Sequence, residues 1–139
     1  MDKAKRILIQ FWLKKAKRDL SAAQKLAQEL PDIAIYHCQQ AAEKALKGFL
    51  ILHNLEPPDT HNISTLVKLA SSIKPELATA LKEAAYLSQY NLIYRYPSEA
   101  SDDFNPSPGE LKKAYRLAFE VYQNVVDAMP AEITGQSQE

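Results

Sequence analysis

The sequence predicts an all-α domain of four long helices and one short helix, and three observations lead to this fold class. Apolar residues recur at intervals of three and four along five segments of the 139-residue chain. All eight prolines fall between these segments or at their edges, where they do not interrupt a helix. No segment alternates apolar and polar residues as a half-buried strand would.

The composition is typical of one globular domain, with 46% hydrophobic and 24% charged residues. Seventeen basic and seventeen acidic residues cancel, so net charge predicts no general attraction to nucleic acid. Residues 1–18 are nevertheless basic, with seven lysines and arginines against the single acid Asp2. We interpret this segment as a solvated helix face, with contact to phosphates or an acidic partner as the alternative.

The first predicted helix covers residues 4–29, where Leu13 and Leu20 belong to a regular apolar stripe. Asp19 lies beside this stripe, where it either pairs with a neighbouring base or faces water. Pro31 ends the first helix, and Asp32 is a suitable N-cap for the next one.

The second predicted helix, residues 33–52, is the segment around which we expect the domain to be built. One of its sides is rich in alanine, and small residues let a neighbouring helix approach closely. The opposite side carries an ordered row of hydrogen-bonding groups, with Glu43 at its edge. The members of this row are His37, Gln40, Lys44 and Lys47. The helix is therefore expected to contribute to both the core and a binding site.

Three further helices are predicted over residues 63–73, 76–94 and 109–128, the first of them capped by Thr60 or Asn62. Residues 95–108 form a loop with three prolines, whose length indicates a function. Three tyrosines stand at intervals of four on the fourth helix and form a packing face or, alternatively, a ligand or dimer surface. They are Tyr86, Tyr90 and Tyr94.

The sequence lacks the common catalytic and metal-binding motifs. Neither His37 nor His61 has a second ligand at helical spacing, so no metal site and no cofactor are predicted. Cys38 is the only cysteine, which excludes an intramolecular disulfide, and we expect a small buried thiol. No apolar run reaches the length of a membrane span or resembles a signal peptide, so we expect a cytoplasmic protein without membrane contact.

Polar residues from three helices remain as a candidate site. His61 opens the third helix and Arg95 closes the fourth, so both are expected near the polar row of the second helix. Lysine and arginine bind phosphate, and Tyr94 or Tyr96 would stack on a base. The structural alternative is that Glu43 pairs with a lysine four residues later and that Arg95 caps a helix end.

Three stretches in order, QQAAEKALKGFL, THNISTL and YRYP, resemble the HEPN family, the nucleotide-binding domains shared by prokaryotes and higher eukaryotes. The upstream AKRDLSAA looks like the start of the same domain, so the similarity spans residues 11–127. The resemblance implies an up-and-down bundle of five helices, and we assign residues 1–130 to this domain. Residues 131–139 are mostly polar, and we expect them to form a flexible tail. The positions that match the polar signature of the family are Gln40, Glu43, Lys44, Lys47, His61, Arg95 and Tyr96.

The resemblance also implies a homodimer and a partner, since family members often accompany a minimal nucleotidyltransferase in toxin–antitoxin type pairs. Some members are metal-independent ribonucleases with an arginine followed four to six residues later by a histidine, and no arginine of this chain has one. We therefore expect a nucleotide-binding or RNA-binding module without catalytic residues. The alternatives are a ribonuclease in which His61 and Arg95 meet, and a purely structural dimer that neutralises a toxin through its tyrosine face.

Overall fold

The computed structural model describes residues 1–91 and 104–135, and within these residues it contains helices, turns and no strand. The predicted all-α class is confirmed. The helices are α1 (Lys3–Leu26), α2 (Pro31–Leu52), α3 (Ile63–Ile73), α4 (Glu76–Ala80), a 3-10 helix (Ala84–Ser88), α5 (Pro108–Asp127) and α6 (Ala131–Thr134). None of the helices in the described ranges is both long enough and apolar enough to span a membrane.

Helix α2 lies at the centre of the bundle, where it contacts α1, α3, α5 and the 3-10 helix. Its alanines are buried, and Gly48 lies close to α1. A Cβ atom added at Gly48 would lie 3.3 Å from the Cβ atom of Trp12. The small residues of α2 therefore allow two long helices to pack closely along it.

Side chains cap the described helices at several N-termini. Asp2 accepts a hydrogen bond from the backbone of Lys5, and Asn62 caps α3 as predicted by accepting one from Thr65. The predicted cap at Asp32 is wrong, because α2 begins at Pro31 and Leu30 occupies the N-cap position. Proline suits the first turn of a helix. The Asp32 carboxylate lies in that turn, where its negative charge interacts favourably with the positive end of the helix dipole.

The C-terminus of α2 closes in a Schellman turn. The Asn54 N–H donates to the carbonyl of Ile51 at 3.0 Å, and the Leu55 N–H donates to that of Leu50 at 2.9 Å. Asn54 has a φ of 64°, a left-handed conformation that asparagine adopts more readily than most residues. This turn directs the following segment, residues 55–62, back along α2 towards the start of α3.

The predicted fourth helix, residues 76–94, is not continuous in its described part. α4 ends at Ala80, residues 81–83 form a turn, and the 3-10 helix follows. The predicted apolar stripe is buried nonetheless, at Leu77, Leu81, Ala84 and Leu87. A 3-10 turn also places residues three apart on one side, so apolar spacing does not distinguish it from an α-helix. Residues 92–94 lie outside the described residues.

Two of the three tyrosines of this segment pack inside the domain. The Tyr90 hydroxyl is buried and lies 2.7 Å from both the Tyr86 hydroxyl and the Glu110 carboxylate of α5. Burial, followed by these two hydrogen bonds, raises the pKa of Tyr90 well above its ordinary value of 10.0. The pair therefore acts as a packing contact between two elements, and Tyr94 lies outside the described residues.

The chain after α5 adds one short helix to the bundle. Ile133 of α6 is buried, and the Gln10 side chain of α1 donates to the Ile133 carbonyl at 3.1 Å. The left-handed Gly135, with a φ of 71°, ends this helix. Burial of one isoleucine thus holds residues 131–134 of the predicted tail against α1, and residues 136–139 lie outside the described residues.

Candidate functional site

The structure divides the polar row of α2 between two clusters, each built around one buried carboxylate. We call the first the Glu43 cluster; its members are Gln39, Gln40, Glu43, Lys47 and His61. We call the second the Asp19 cluster; its members are Asp19, His37 and Lys44. The first cluster joins α2 to the segment before α3, and the second joins α2 to α1.

In the Glu43 cluster, three side chains hold one carboxylate. Glu43 Oε1 lies 2.9 Å from Gln39 Nε2 and 2.9 Å from His61 Nδ1, and Oε2 accepts from Lys47 Nζ at 3.1 Å. The Gln39 amide also donates to the His61 carbonyl at 3.2 Å, so it uses both of its hydrogens. Gln40 in turn donates to Gln39 Oε1 at 2.7 Å. These bonds fix the carboxylate and the backbone of His61 together.

The Glu43 carboxyl stays ionised despite its burial. Burial alone would raise its pKa, but hydrogen bonds from Gln39, His61 and Lys47 and the charge of Lys47 favour the charged form more strongly. The net result is a pKa below the ordinary value of 4.5. An ionised carboxylate only accepts hydrogen bonds, so the His61 Nδ1 atom carries the hydrogen that it donates to Glu43. The His61 side chain as a whole is 40% exposed.

The Asp19 cluster ties the two longest helices to each other. Asp19 is buried, with Oδ1 at 2.8 Å from His37 Nδ1 and Oδ2 at 2.6 Å from Lys44 Nζ. Of the two alternatives that the sequence left open for Asp19, pairing with neighbouring bases is therefore the one observed. The charge of Lys44 is compensated by this contact, which places Lys44 in a different cluster from Lys47.

Four of the seven predicted site residues meet in one cluster, namely Gln40, Glu43, Lys47 and His61. Lys44 belongs to the Asp19 cluster, and Arg95 and Tyr96 lie outside the described residues, so their contribution stays a prediction. The expected pair of Glu43 and Lys47 is observed. Sequence reasoning missed Gln39, although its spacing of four residues from Glu43 is a readable signal on a helix.

Two kinds of site chemistry find no support in the described residues. Burial, and to a smaller extent the charge of Asp19, raises the pKa of the Cys38 thiol to about 12, so it stays protonated near neutral pH and is a poor nucleophile. Among residues 1–91 and 104–135, no group of three or more histidine, cysteine or acidic side chains is arranged to hold a metal ion.

Comparison with known protein families decides the family. Residues 9–129 match the family model of the HEPN domain. This chain belongs to the HEPN domain family. The match confirms the resemblance and covers almost all of the described bundle, including both clusters of this HEPN domain. No curated protein and no solved structure gives a significant match.

Proposed function

We propose that this HEPN domain is a binding module that holds a nucleotide or an RNA at the Glu43 cluster. The supporting observation is the buried Glu43 carboxylate that orients His61, a partly exposed imidazole, at 2.9 Å. A carboxylate on Nδ1 fixes the orientation of the ring, and an oriented imidazole is a suitable hydrogen-bonding group for a phosphate oxygen. The absence of the arginine and histidine spacing of the ribonuclease members supports binding without catalysis.

The remaining predicted residues complete this proposed site in different ways. Lys47 Nζ carries three N–H groups, and its contact with Glu43 uses one of them. Arg95 would add a bidentate phosphate contact and Tyr96 a ring that stacks on a base. For Lys44, whose ammonium lies 2.6 Å from Asp19, we propose a supporting role in holding α2 against α1.

Calorimetry with ATP, GTP and short RNAs tests this proposal. The removal of a charged hydrogen bond costs about 1.5–3 kcal/mol, so we expect His61→Ala to bind its ligand roughly ten to a hundred times more weakly than the wild type. Lys44→Ala is the matched control from the same helix face and should bind within about threefold of the wild type. Equal binding by His61→Ala, or no binding by the wild type, would remove the site assignment.

We further propose that the chain forms a homodimer and works with a separate nucleotidyltransferase subunit, in a toxin–antitoxin type pair. Two large apolar side chains of α1, Ile7 and Phe11, lie one turn apart with about half of their surface exposed. Exposed apolar pairs of this kind are typical of protein contacts. Light scattering should show that the wild type is a dimer and that Phe11→Glu is a monomer. When the chain is co-expressed with the nucleotidyltransferase subunit, the two proteins should purify together. A monomeric wild type contradicts the first part, and a dimer recovered alone contradicts the second.

The second candidate function is that of a ribonuclease, favoured by the same pair of Glu43 and His61. An imidazole held by a carboxylate is the arrangement of many general acid–base catalysts. If this function is correct, the wild type cleaves short RNAs in the presence of a metal chelator, and His61→Ala does not. RNA that stays intact through long incubation with the wild type would exclude it.

A further inference from the structure

An open groove at the surface, with a volume of about 640 Å³ and called the cavity below, lies next to the Glu43 cluster, between the first half of α1, the end of α2 and residues 54–59. Its size is within the range of small-molecule sites. Lys47 connects the two features, because it lines the cavity and also contacts the Glu43 carboxylate at 3.1 Å. Asp59 lines the cavity, and His61 lies two residues after it in the sequence. Two residues of extended chain span at most about 7 Å.

The walls of the cavity are apolar and in part flat. Trp12 supplies one wall, and its position is set by the close approach of α1 to Gly48. Leu8 and Leu55 come from different elements, and the Schellman turn at the end of α2 brings Leu55 into the lining. Pro57 and Pro58 add rigid rings from the segment that follows. A planar ring system would therefore find one aromatic side chain and several aliphatic ones.

The polar groups of the cavity favour hydroxyl and amino donors over a long phosphate chain. Lys5 Nζ donates to the Asn54 side chain at 2.6 Å and so ties α1 to the turn. Lys5 and Lys47 are matched in number by the carboxylates of Glu56 and Asp59. Carboxylates accept hydrogen bonds from ribose hydroxyls and from the amino groups of bases, whereas they repel a polyphosphate.

We propose that this cavity is a nucleoside subsite, in which a base packs against Trp12 and the ribose faces Glu56 and Asp59. One phosphate then lies beside Lys47, on the side of the cavity that leads to His61. The ligand class is a nucleoside monophosphate, or one nucleotide of an RNA, with an amino group on its base. This inference rests on the proposed function and adds the part of the ligand that the Glu43 cluster does not contact.

The only tryptophan of the chain is Trp12, so fluorescence excited selectively at tryptophan, and not at the seven tyrosines, reports on the cavity. We would titrate the wild type with AMP, UMP and ribose 5-phosphate and follow both tryptophan emission and calorimetric heat. AMP should change the emission with the same dissociation constant that calorimetry gives. UMP, which lacks an amino group on its base, should bind at least threefold more weakly. Ribose 5-phosphate should bind at least tenfold more weakly, because it lacks the base.

Two variants place a negatively charged side chain into the cavity from different elements, Leu8→Glu and Leu55→Glu, and the added carboxylate repels the phosphate of AMP. Each should weaken AMP binding at least tenfold, and the second variant serves if the first does not fold. The matched control is Leu30→Glu, because Leu30 is 43% exposed, close to the 45% of Leu8, and does not line the cavity. This control should bind AMP as the wild type does, with circular dichroism confirming that all three variants are folded.

The outcomes separate this proposal from the proposed function. If His61→Ala abolishes the heat of AMP binding but AMP leaves the tryptophan emission unchanged and both cavity variants bind normally, the nucleoside subsite is wrong and the Glu43 cluster stands. If both cavity variants lose binding and His61→Ala does not, the subsite stands and the role of the Glu43 cluster is wrong. If the wild type binds neither nucleotide nor RNA, both proposals fail.

Discussion

The Glu43 cluster and the Asp19 cluster contain the same three groups in different surroundings. In each, one buried carboxylate contacts the Nδ1 atom of a histidine with one oxygen and a lysine ammonium with the other. They differ in a third donor, Gln39, and in the exposure of the histidine side chain, which is 40% for His61 and 26% for His37. Only the first cluster shares a residue with the cavity beside Trp12.

This difference explains why we assign binding to one cluster and a structural role to the other. The Asp19 contacts join α1 to α2, whereas the Glu43 contacts hold a segment between two helices and the imidazole that it carries. A residue type and its partners are therefore not enough to identify a site. What distinguishes the two clusters is the surface next to the histidine that each carboxylate orients.

The largest expected effect is the loss of stability in Glu43→Ala. The removal of one partner from a buried ion pair costs about 3–5 kcal/mol, because Lys47 would be left with its side chain only 10% exposed and its charge uncompensated. Asp19→Ala should cost less, about 1–3 kcal/mol, because the partly exposed His37 and Lys44 side chains regain contact with water. Urea unfolding of both variants measures the difference, and equal losses would contradict the distinction.

A smaller difference is expected between the two lysines. Lys47→Met should reduce the free energy of unfolding by about 2 kcal/mol, since a buried carboxylate loses one of three hydrogen bonds. Lys44→Met should reduce it by about 1 kcal/mol or less, because the Lys44 side chain is 25% exposed and its ion pair is partly screened. The two substituted positions lie about one turn apart on α2. If Lys44→Met lost more unfolding free energy than Lys47→Met, the structural distinction between the two clusters would be wrong.

The smallest effect concerns acid stability. Because the pKa of Glu43 is lower in the folded state than its ordinary value of 4.5, the unfolded chain takes up the proton first as the pH falls. The stability that this carboxylate contributes is thus present above about pH 4.5 and is lost as the pH falls through the pKa of the folded state. Glu43→Gln should remove part of this slope, at most about 1.4 kcal/mol per pH unit. Wild-type and variant unfolding curves with parallel pH dependence would contradict this.

The sequence by itself determined the helices and the family. Apolar spacing and proline positions located α1, α2, α3 and α5 to within three residues at each end, since helix periodicity and its breakers act locally. The pair of Glu43 and Lys47 was also readable, because residues four apart meet on one helix. The break after Ala80 was not, since α and 3-10 turns satisfy the same apolar spacing.

Only the tertiary structure decided which polar residues belong together. His61 is 18 residues from Glu43, and Asp19 is 18 residues from His37, so neither contact follows from local spacing. The cavity likewise depends on two segments that are distant in the sequence, residues 5–12 and 47–59, and on the absence of a side chain at Gly48 that lets Trp12 approach α2. Contacts between segments depend on how helices pack and turn, which a single helix period does not encode.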